Sequence, residues 1–125
     1  MLVDSDVLIW YMRGNQNAKK AIDKLGSFLI STVNYMELIQ GIRNKEELRR
    51  LRKFITQRQI KIVHINDEIS QKALHYMEEY SLSHHLRMAD AFIAATTSVL
   101  GTTLFTANTK HYLPIRDIYI KRFKA

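Results

Sequence analysis

The sequence predicts an α/β fold, a three-layer α/β/α sandwich with a central parallel sheet. Short segments rich in β-branched and aliphatic residues alternate with longer segments of helical period, and this order favours parallel strands covered by helices on both faces. The chain has 125 residues, of which 46% are hydrophobic and 25% charged, with one proline, as in an ordinary folded protein. We therefore expect residues 1–125 to form a single domain.

The first half of the chain is predicted to contain two strands and four helices. Asp4-Ser5-Asp6 follows an apolar start and offers side-chain acceptors that can cap a helix, and Ser31-Thr32 does the same further on. Gly26 is typical of a helix end. The predicted elements are a strand beginning at Leu2, helices to about Met12 and over 18–25, a strand over 28–30, and helices over 33–42 and 45–59.

The second half is predicted to contain three strands and two long helices. Asn66-Asp67 can cap a helix with apolar residues at spacings of three and four, and Gly101 ends an almost wholly apolar one. The predicted elements are a strand over 60–65, a helix from 67 to about 80, a polar loop over 81–87 containing His84-His85, a helix over 88–100, a strand over 103–106, a turn or short helix over 107–112, and a strand over 118–120.

The charge of the chain favours a polyanionic partner such as nucleic acid. Nineteen lysines and arginines outnumber 12 acidic residues, which gives a net charge of +7. Many of the basic residues fall in the predicted helix 45–59, where Arg49, Arg50 and Lys53 are candidate RNA contacts; a solvated helix face is the alternative interpretation. Because the chain has no cysteine, any metal ion would be held by carboxylates or histidines.

No segment of the sequence is predicted to enter a membrane. No apolar stretch approaches the roughly 20 residues needed to cross a bilayer. The N-terminus lacks the basic region and cleavage site of a signal peptide. We therefore expect a cytoplasmic protein.

Three acidic residues are candidates for a metal site. Asp4 ends the first predicted strand, Glu37 lies in the helix after the second, and Asp90 lies in the first turn of an apolar helix whose neighbours offer no cation. Ligands of parallel sheets bind at the carboxyl ends of the strands, so these acids are expected to converge. Carboxylates and phosphate oxygens suit Mg²⁺. In a basic protein, this set predicts metal-assisted hydrolysis of phosphodiesters; on local sequence alone, a helix cap also explains Asp4 and a solvent-facing position also explains Glu37.

Four motifs in this order resemble the PIN domain, and more closely the VapC-type toxin ribonucleases of toxin–antitoxin pairs. They are LVDSDVLIW near the start, Ser31-x5-Glu37-x3-Gly41, MADAFIAA over 88–95 and LFTAN over 104–108. The resemblance implies a Rossmann-like sandwich, dependence on Mg²⁺ or Mn²⁺, and cleavage of structured RNA such as tRNA. It also implies a homodimer that is inhibited by a small VapB-like antitoxin.

The resemblance also implies roles for particular residues. Asp4, Glu37 and Asp90 would bind the metal ion and, with Asn108, carry catalysis. Ser5, Asp6, Thr106 and His111 would support them. Family members often carry a fourth acid where this chain has Asn108 and His111. We therefore expect a one-metal site, or a second ion recruited only with substrate.

Three alternatives compete with a nuclease. A non-catalytic RNA-binding PIN module would keep the fold and use its acids structurally. Asp4-x-Asp6 also resembles the nucleophile loop of haloacid-dehalogenase phosphatases, but Val7-Leu8 follow it and the chain has no room for a cap domain. A response-regulator receiver needs an aspartate at the end of the third strand, where His64-Ile65 stands.

Overall fold

The computed structural model describes all residues from Met1 to Ala125. It contains five strands, six α-helices and one short 3-10 helix. They are, in chain order, β1 (Leu2–Val3), α1 (Ser5–Met12), α2 (Gln16–Leu25), β2 (Leu29–Ser31), α3 (Thr32–Gln40), α4 (Lys45–Gln57), β3 (Lys61–Val63), α5 (Asp67–His84), α6 (Met88–Leu100), β4 (Thr103–Thr106), the 3-10 helix (Thr109–Tyr112) and β5 (Tyr119–Arg122).

The five strands form one parallel sheet in the order β3-β2-β1-β4-β5. The chain adds strands on one side of β1 and then returns to add β4 and β5 on the other side. The order therefore reverses between β1 and β4, which is where parallel α/β sheets bind ligands beyond their carboxyl ends. The predicted sandwich with a central parallel sheet is confirmed, and Asp4 and Thr106 stand at this point of reversal.

Helices cover both faces of the sheet because side chains alternate along each strand. Leu2 and Leu104 pack into a core with α5 and α6, whereas Val3 and Phe105 pack into a second core with α1, α2 and α4. Each core contains about a dozen buried apolar residues, so the β1–β4 pair is held from both sides. None of the helices is sufficiently long and apolar to span a bilayer.

One predicted loop is wrong. Residues 81–84, expected in a polar loop, continue α5 to His84, and His85 ends the helix in a left-handed conformation with φ of 56°. The side chains of Ser83 and His84 are exposed to solvent, so they leave the backbone hydrogen bonds of the helix uninterrupted. The Tyr80 ring also lies edge-on to His84, with 6.0 Å between centroids.

The other differences concern element ends. The third helix ends at Gln40 rather than residue 42, and the third strand is Lys61–Val63 rather than 60–65. The last strand is Tyr119–Arg122 rather than 118–120, because its register against β4 pairs Thr103 with Tyr119 and Thr106 with Arg122. Sheet pairing, which depends on distant residues, decides the limits of the two strands.

Candidate active site

Asp4 is a buried carboxylate that accepts several hydrogen bonds. It follows β1, is the N-cap of α1 and is 6% exposed. Its Oδ1 accepts from the Ser5 backbone N–H at 2.8 Å and from the Asn34 amide at 3.2 Å. Its Oδ2 accepts from the hydroxyls of Thr106 and Tyr112, each at 2.9 Å. Asp4 is thus both the helix cap and the centre of a polar cluster.

Glu37 reaches the same cluster through Ser5. The Ser5 hydroxyl lies 2.6 Å from Glu37 Oε1 and 3.4 Å from Asp4 Oδ1. The α3 N-terminus fixes this approach, because Ser31 caps the helix and the Ser31 N–H donates to Asn34 Oδ1 at 2.9 Å. Burial raises the pKa of the half-buried Glu37; the Ser5 hydrogen bond lowers it, and the charges of Asp4 and Asp90 raise it.

Asp90 enters from α6 and meets two residues of the 3-10 helix. Its Oδ1 lies 3.5 Å from the Tyr112 hydroxyl, and its Oδ2 lies 3.6 Å from His111 Nδ1. Burial raises the pKa of Asp90, with a further increase from the Asp4 charge, while His111 lowers it. Arg87, the N-cap of α6, also lowers the pKa of Asp90, and the protonatable group in contact with it, His111, comes from another element.

Tyr112 lies between two carboxylates. Its side chain is fully buried, and its hydroxyl is 2.9 Å from Asp4 Oδ2 and 3.5 Å from Asp90 Oδ1. Burial raises the pKa of Tyr112 well above its usual value, as do the nearby carboxylates, so the hydroxyl stays a donor. Sequence reasoning missed this role and that of Asn34. The available signal was a tyrosine with a polar tip in the turn directly after a strand that ends at the predicted site.

Asp6 anchors the segment after β4. Its Oδ2 accepts from the Ala107 and Asn108 backbone N–H groups, both at 3.0 Å, and from the Thr106 hydroxyl at 3.2 Å. Its Oδ1 is buried without a hydrogen-bond partner. Burial, with the charge of Asp4, raises the pKa of Asp6 to about 6.

The structure brings most of the predicted site residues together. Asn108 is at the rim: its backbone N–H reaches Asp6, while its exposed side chain makes no cap hydrogen bond. The basic residues predicted as RNA contacts lie on α4, as expected, and none of them forms a hydrogen bond or salt bridge with an acid of the cluster. Arg49 and Arg50 both pair with Glu46, at 3.1 and 3.7 Å, and Lys53 is exposed.

The donor set suits a hard divalent cation. Asp4, Glu37 and Asp90 offer carboxylate oxygens, and the hydroxyl groups of Ser5 and Tyr112 lie between them. In this conformation no three acidic or histidine side chains lie close enough together to hold an ion. Two features fit an added positive charge: burial, and after it mutual repulsion, raises the pKa values of Glu37 and Asp90, and Asp6 Oδ1 is a buried acceptor without a donor. A cation near these oxygens would relieve both.

Comparison with protein-family models gives a match over residues 1–114, to the PIN domain. Among curated proteins, the chain is 35% identical over 116 residues to ribonuclease VapC10 of Mycobacterium tuberculosis, a match that covers 90% of this chain and 85% of that protein. It is 28% identical over 124 residues to ribonuclease VapC1 of Methanocaldococcus jannaschii, covering 97% of this chain and 85% of that protein.

Solved structures share the fold. A toxin–antitoxin complex from Klebsiella pneumoniae contains a chain that matches with a TM-score of 0.75 and 26% identity, over 94% of this chain and 93% of that one. A chain of DNA-bound VapBC from Salmonella typhimurium matches with a TM-score of 0.84 over 97% and 96% of the two chains; at 18% identity, this likeness concerns the fold alone.

Proposed function

The chain belongs to the PIN-domain family, and from that premise we propose that it is a VapC-type endoribonuclease that hydrolyses phosphodiester bonds in RNA with a bound Mg²⁺ or Mn²⁺. The observation that carries this proposal is the meeting of Asp4, Glu37 and Asp90 at the reversal point of the sheet, in a chain of net charge +7. Acids that hold a cation, within a basic protein, suit a polyanionic substrate.

In the proposed reaction, Asp4, Glu37 and Asp90 hold the ion. When bound, the ion supplies a water of lowered pKa and polarises a phosphoryl oxygen. Asp6 and Thr106 keep the segment after β4 in place, since Asp6 accepts from the Thr106 hydroxyl and two successive backbone N–H groups. Because Asn108 and His111 stand where relatives often carry a further acid, we propose a single resident ion, with Asn108 at the rim as the candidate that orients water or substrate.

The buried position of Asp4 argues against a phosphatase. An aspartate nucleophile must have an oxygen free to attack phosphorus. Asp4 is 6% exposed, and both of its carboxylate oxygens already accept hydrogen bonds. These contacts instead suit a role of Asp4 as a metal ligand, because they hold its carboxylate in place from several sides.

An antitoxin partner is supported by a groove beside the site. The groove has a volume of about 790 Å³, lies between α1, α3 and α4, and reaches Glu37. Its walls combine apolar residues with charged ones: Ile9, Tyr11, Met12, Leu38, Ile42, Leu51 and Phe54, with Arg13, Arg43 and Arg50 and with Glu37 and Glu47, of which Glu47 is paired with Arg43. We propose that a small VapB-like antitoxin lays an apolar helix with acidic flanks here and so blocks access to Glu37.

Further properties are also proposed. The family suggests a structured RNA such as tRNA as substrate and a homodimer, while the sequence suggests a cytoplasmic location and, through the basic residues of α4, contacts from Arg49, Arg50 and Lys53 to RNA. One domain over residues 1–125 is supported by the single sheet, which includes both β1 near the start and β5 at Tyr119–Arg122.

The test is cleavage of total RNA and purified tRNA by the purified protein, with Mn²⁺ or with EDTA. We expect cleavage only with the metal ion, and growth arrest when the protein is expressed without its antitoxin. The control variant is Asp90→Asn, which keeps the shape of the side chain and removes its charge. Absence of metal-dependent cleavage, or equal cleavage by Asp90→Asn, would contradict the proposal.

A further inference from the structure

A second groove, of about 410 Å³, lies between α2 and the edge strand β5. Its floor is Phe105 and Phe123, which are almost fully buried and meet edge to face with 5.7 Å between ring centroids. Its remaining lining combines four basic residues with three others and no acid: Lys24, Lys121, Arg122 and Lys124, with Asn17, Ala21 and Leu25.

The four basic side chains of this groove are exposed, and Lys121 Nζ lies 5.5 Å from the centroid of the Phe105 ring. None of them takes part in a salt bridge, whereas Arg49 and Arg50 on α4 share Glu46. Basic residues on an edge strand can act simply to prevent strand pairing between molecules. That explanation covers Lys121 and Arg122 but not Lys24, which comes from α2 to the same groove. Four unneutralised cations around one concavity attract a polyanion.

The β5 groove begins one strand away from the carboxylate cluster. Arg122 stands opposite Thr106 in the parallel register, and the Phe123 N–H donates to the Thr106 carbonyl at 2.8 Å. The Thr106 hydroxyl in turn donates to Asp4 at 2.9 Å. Because neighbouring strands are about 4.8 Å apart, a nucleic-acid strand at the cluster can continue into the groove within a few nucleotides.

We propose that the β5 groove binds the phosphates of RNA next to the cleaved bond, with Arg122 and Lys124 as the principal contacts and Lys24 and Lys121 as their neighbours. This inference rests on the proposed ribonuclease function. The floor phenylalanines are too deeply buried to stack on bases, and the lining has one amide, Asn17, to read base edges. The groove therefore contributes affinity for RNA of any sequence and leaves the choice of cleavage site to other residues.

The test compares three double variants that each remove two positive charges. Arg122→Gln/Lys124→Gln alters the groove, Lys19→Gln/Lys20→Gln alters the exposed face of α2 outside it, and Arg49→Gln/Arg50→Gln alters α4. Affinity for a fluorescent single-stranded RNA is measured by anisotropy in EDTA at several salt concentrations. We expect the groove variant to bind at least fivefold more weakly. We also expect the slope of log affinity against log salt concentration to be smaller in magnitude by about 1.4, since each phosphate contact on a single strand contributes roughly 0.7 to that slope. The Lys19→Gln/Lys20→Gln variant should change affinity less than twofold, and the α4 variant should weaken binding less than the groove variant does.

Equal weakening by all three variants would assign the effect to net charge and overturn the proposal, as would a larger effect of the α4 variant. Circular dichroism checks folding, and Arg122→Lys/Lys124→Arg, which keeps both charges, should bind as the unaltered protein does. With long RNA and Mn²⁺, the groove variant should raise KM and leave kcat unchanged. If the unaltered protein binds RNA through the groove but cleaves none, the ribonuclease proposal fails while the binding inference stands.

Discussion

Two hydroxyl groups occupy the spaces between the carboxylates of the site. Ser5 links Asp4 to Glu37, and Tyr112 links Asp4 to Asp90. A hydroxyl donor near two anions moderates their repulsion without neutralising either of them, so the acids can be held close and still ionise. The arrangement keeps negative charge available to a cation.

Replacement of Tyr112 by phenylalanine tests this function of its hydroxyl. We expect Tyr112→Phe to lower the free energy of unfolding by about 1–2 kcal/mol in EDTA, because Asp4 loses a buried donor. The loss should be smaller in Mn²⁺, since a bound cation takes over the compensation. Urea denaturation with and without Mn²⁺ measures both values.

The control is Tyr76→Phe, which removes another buried tyrosine hydroxyl that donates to a carboxylate, at 2.7 Å from Asp117 and outside the site. It should cost the same with and without Mn²⁺. If the two variants respond alike to the metal ion, the hydroxyl of Tyr112 has no special relation to the site.

Loss of either central acid should abolish cleavage and spare the fold. We expect Asp4→Asn and Asp90→Asn to reduce the rate of RNA cleavage by at least 100-fold, a drop on the scale that follows from losing a preorganised charge at the reacting centre. Each amide keeps the size of the side chain and one acceptor oxygen, and at Asp4 the hydroxyls of Thr106 and Tyr112 can accept from the amide NH₂ group instead of donating. Cleavage assays should therefore show lost activity, while far-ultraviolet circular dichroism should show an unchanged spectrum. Retained activity in both variants would mean that these acids take no part in the mechanism.

The acids of the site could be predicted from the sequence, but their hydroxyl partners could not. A carboxylate in an apolar segment, as at Asp4 or Asp90, requires compensation wherever it lies. Tyr112 has no such local anomaly, because a tyrosine near an apolar segment is usually packed in the core. Its contact with Asp4 joins residues 108 positions apart, and only the register of β1 against β4 creates it.

At the scale of elements, Asp117 connects α5 and α6 to the segment before β5. It accepts from the Tyr76 hydroxyl at 2.7 Å, from Lys72 at 2.7 Å and from Ser98 at 3.3 Å. Burial tends to raise the pKa of Asp117, but the hydrogen bonds from Lys72 and Tyr76 lower it below its usual value. One ionised carboxylate thus joins three pieces of the chain.

The stability that Asp117 contributes should depend on pH. A depressed pKa in the folded state stabilises above the unfolded value, near 3.9, and the contribution is lost as the pH falls through the folded value. We expect Asp117→Asn to lower the free energy of unfolding by about 1 kcal/mol at pH 7. The neutral amide can still accept from Tyr76 but loses the charge that strengthens the bonds from Tyr76 and Lys72, at a half-exposed position where solvent weakens such interactions. Its difference from the unaltered protein should shrink below about pH 4.

Urea denaturation between pH 2.5 and pH 7 measures that difference. Glu78→Gln, which removes an exposed carboxyl without an ion pair, provides the comparison and should show little change across the range. A cost of Asp117→Asn that is constant with pH would mean that the charge of Asp117 is irrelevant to stability.

Element types could be predicted more reliably than element ends. The periodicity of apolar residues identifies α5 and α6, and Gly101 marks the end of α6. The end of α5 carries no comparable signal, because Ser81 to His84 contain neither glycine nor proline and are compatible with a helix. Hydrogen bonding of His85 and Leu86 back to the Tyr80 carbonyl decides where it stops.

At the scale of the molecule, binding of a metal ion should raise the temperature of unfolding. An ion that binds only the folded protein, at a concentration 100 times its Kd, adds about 2.7 kcal/mol to the free energy of unfolding. For a domain of this size this raises the unfolding temperature by an amount of the order of 8 °C. We expect that shift with Mn²⁺ in differential scanning calorimetry. Asp4→Asn should not show it, and an equal shift in that variant would place the ion elsewhere.

The order of the strands has a consequence for the growing polypeptide. Asp4, Glu37 and Asp90 are all translated before Thr106 and Tyr112, whose hydroxyls reach back across 102 and 108 residues to Asp4. A nascent chain that has reached only Asp90 therefore carries every acid of the site but neither β4 nor the tyrosine that separates two of them. The carboxylate cluster is thus completed only after the segment around Tyr112 has left the ribosome.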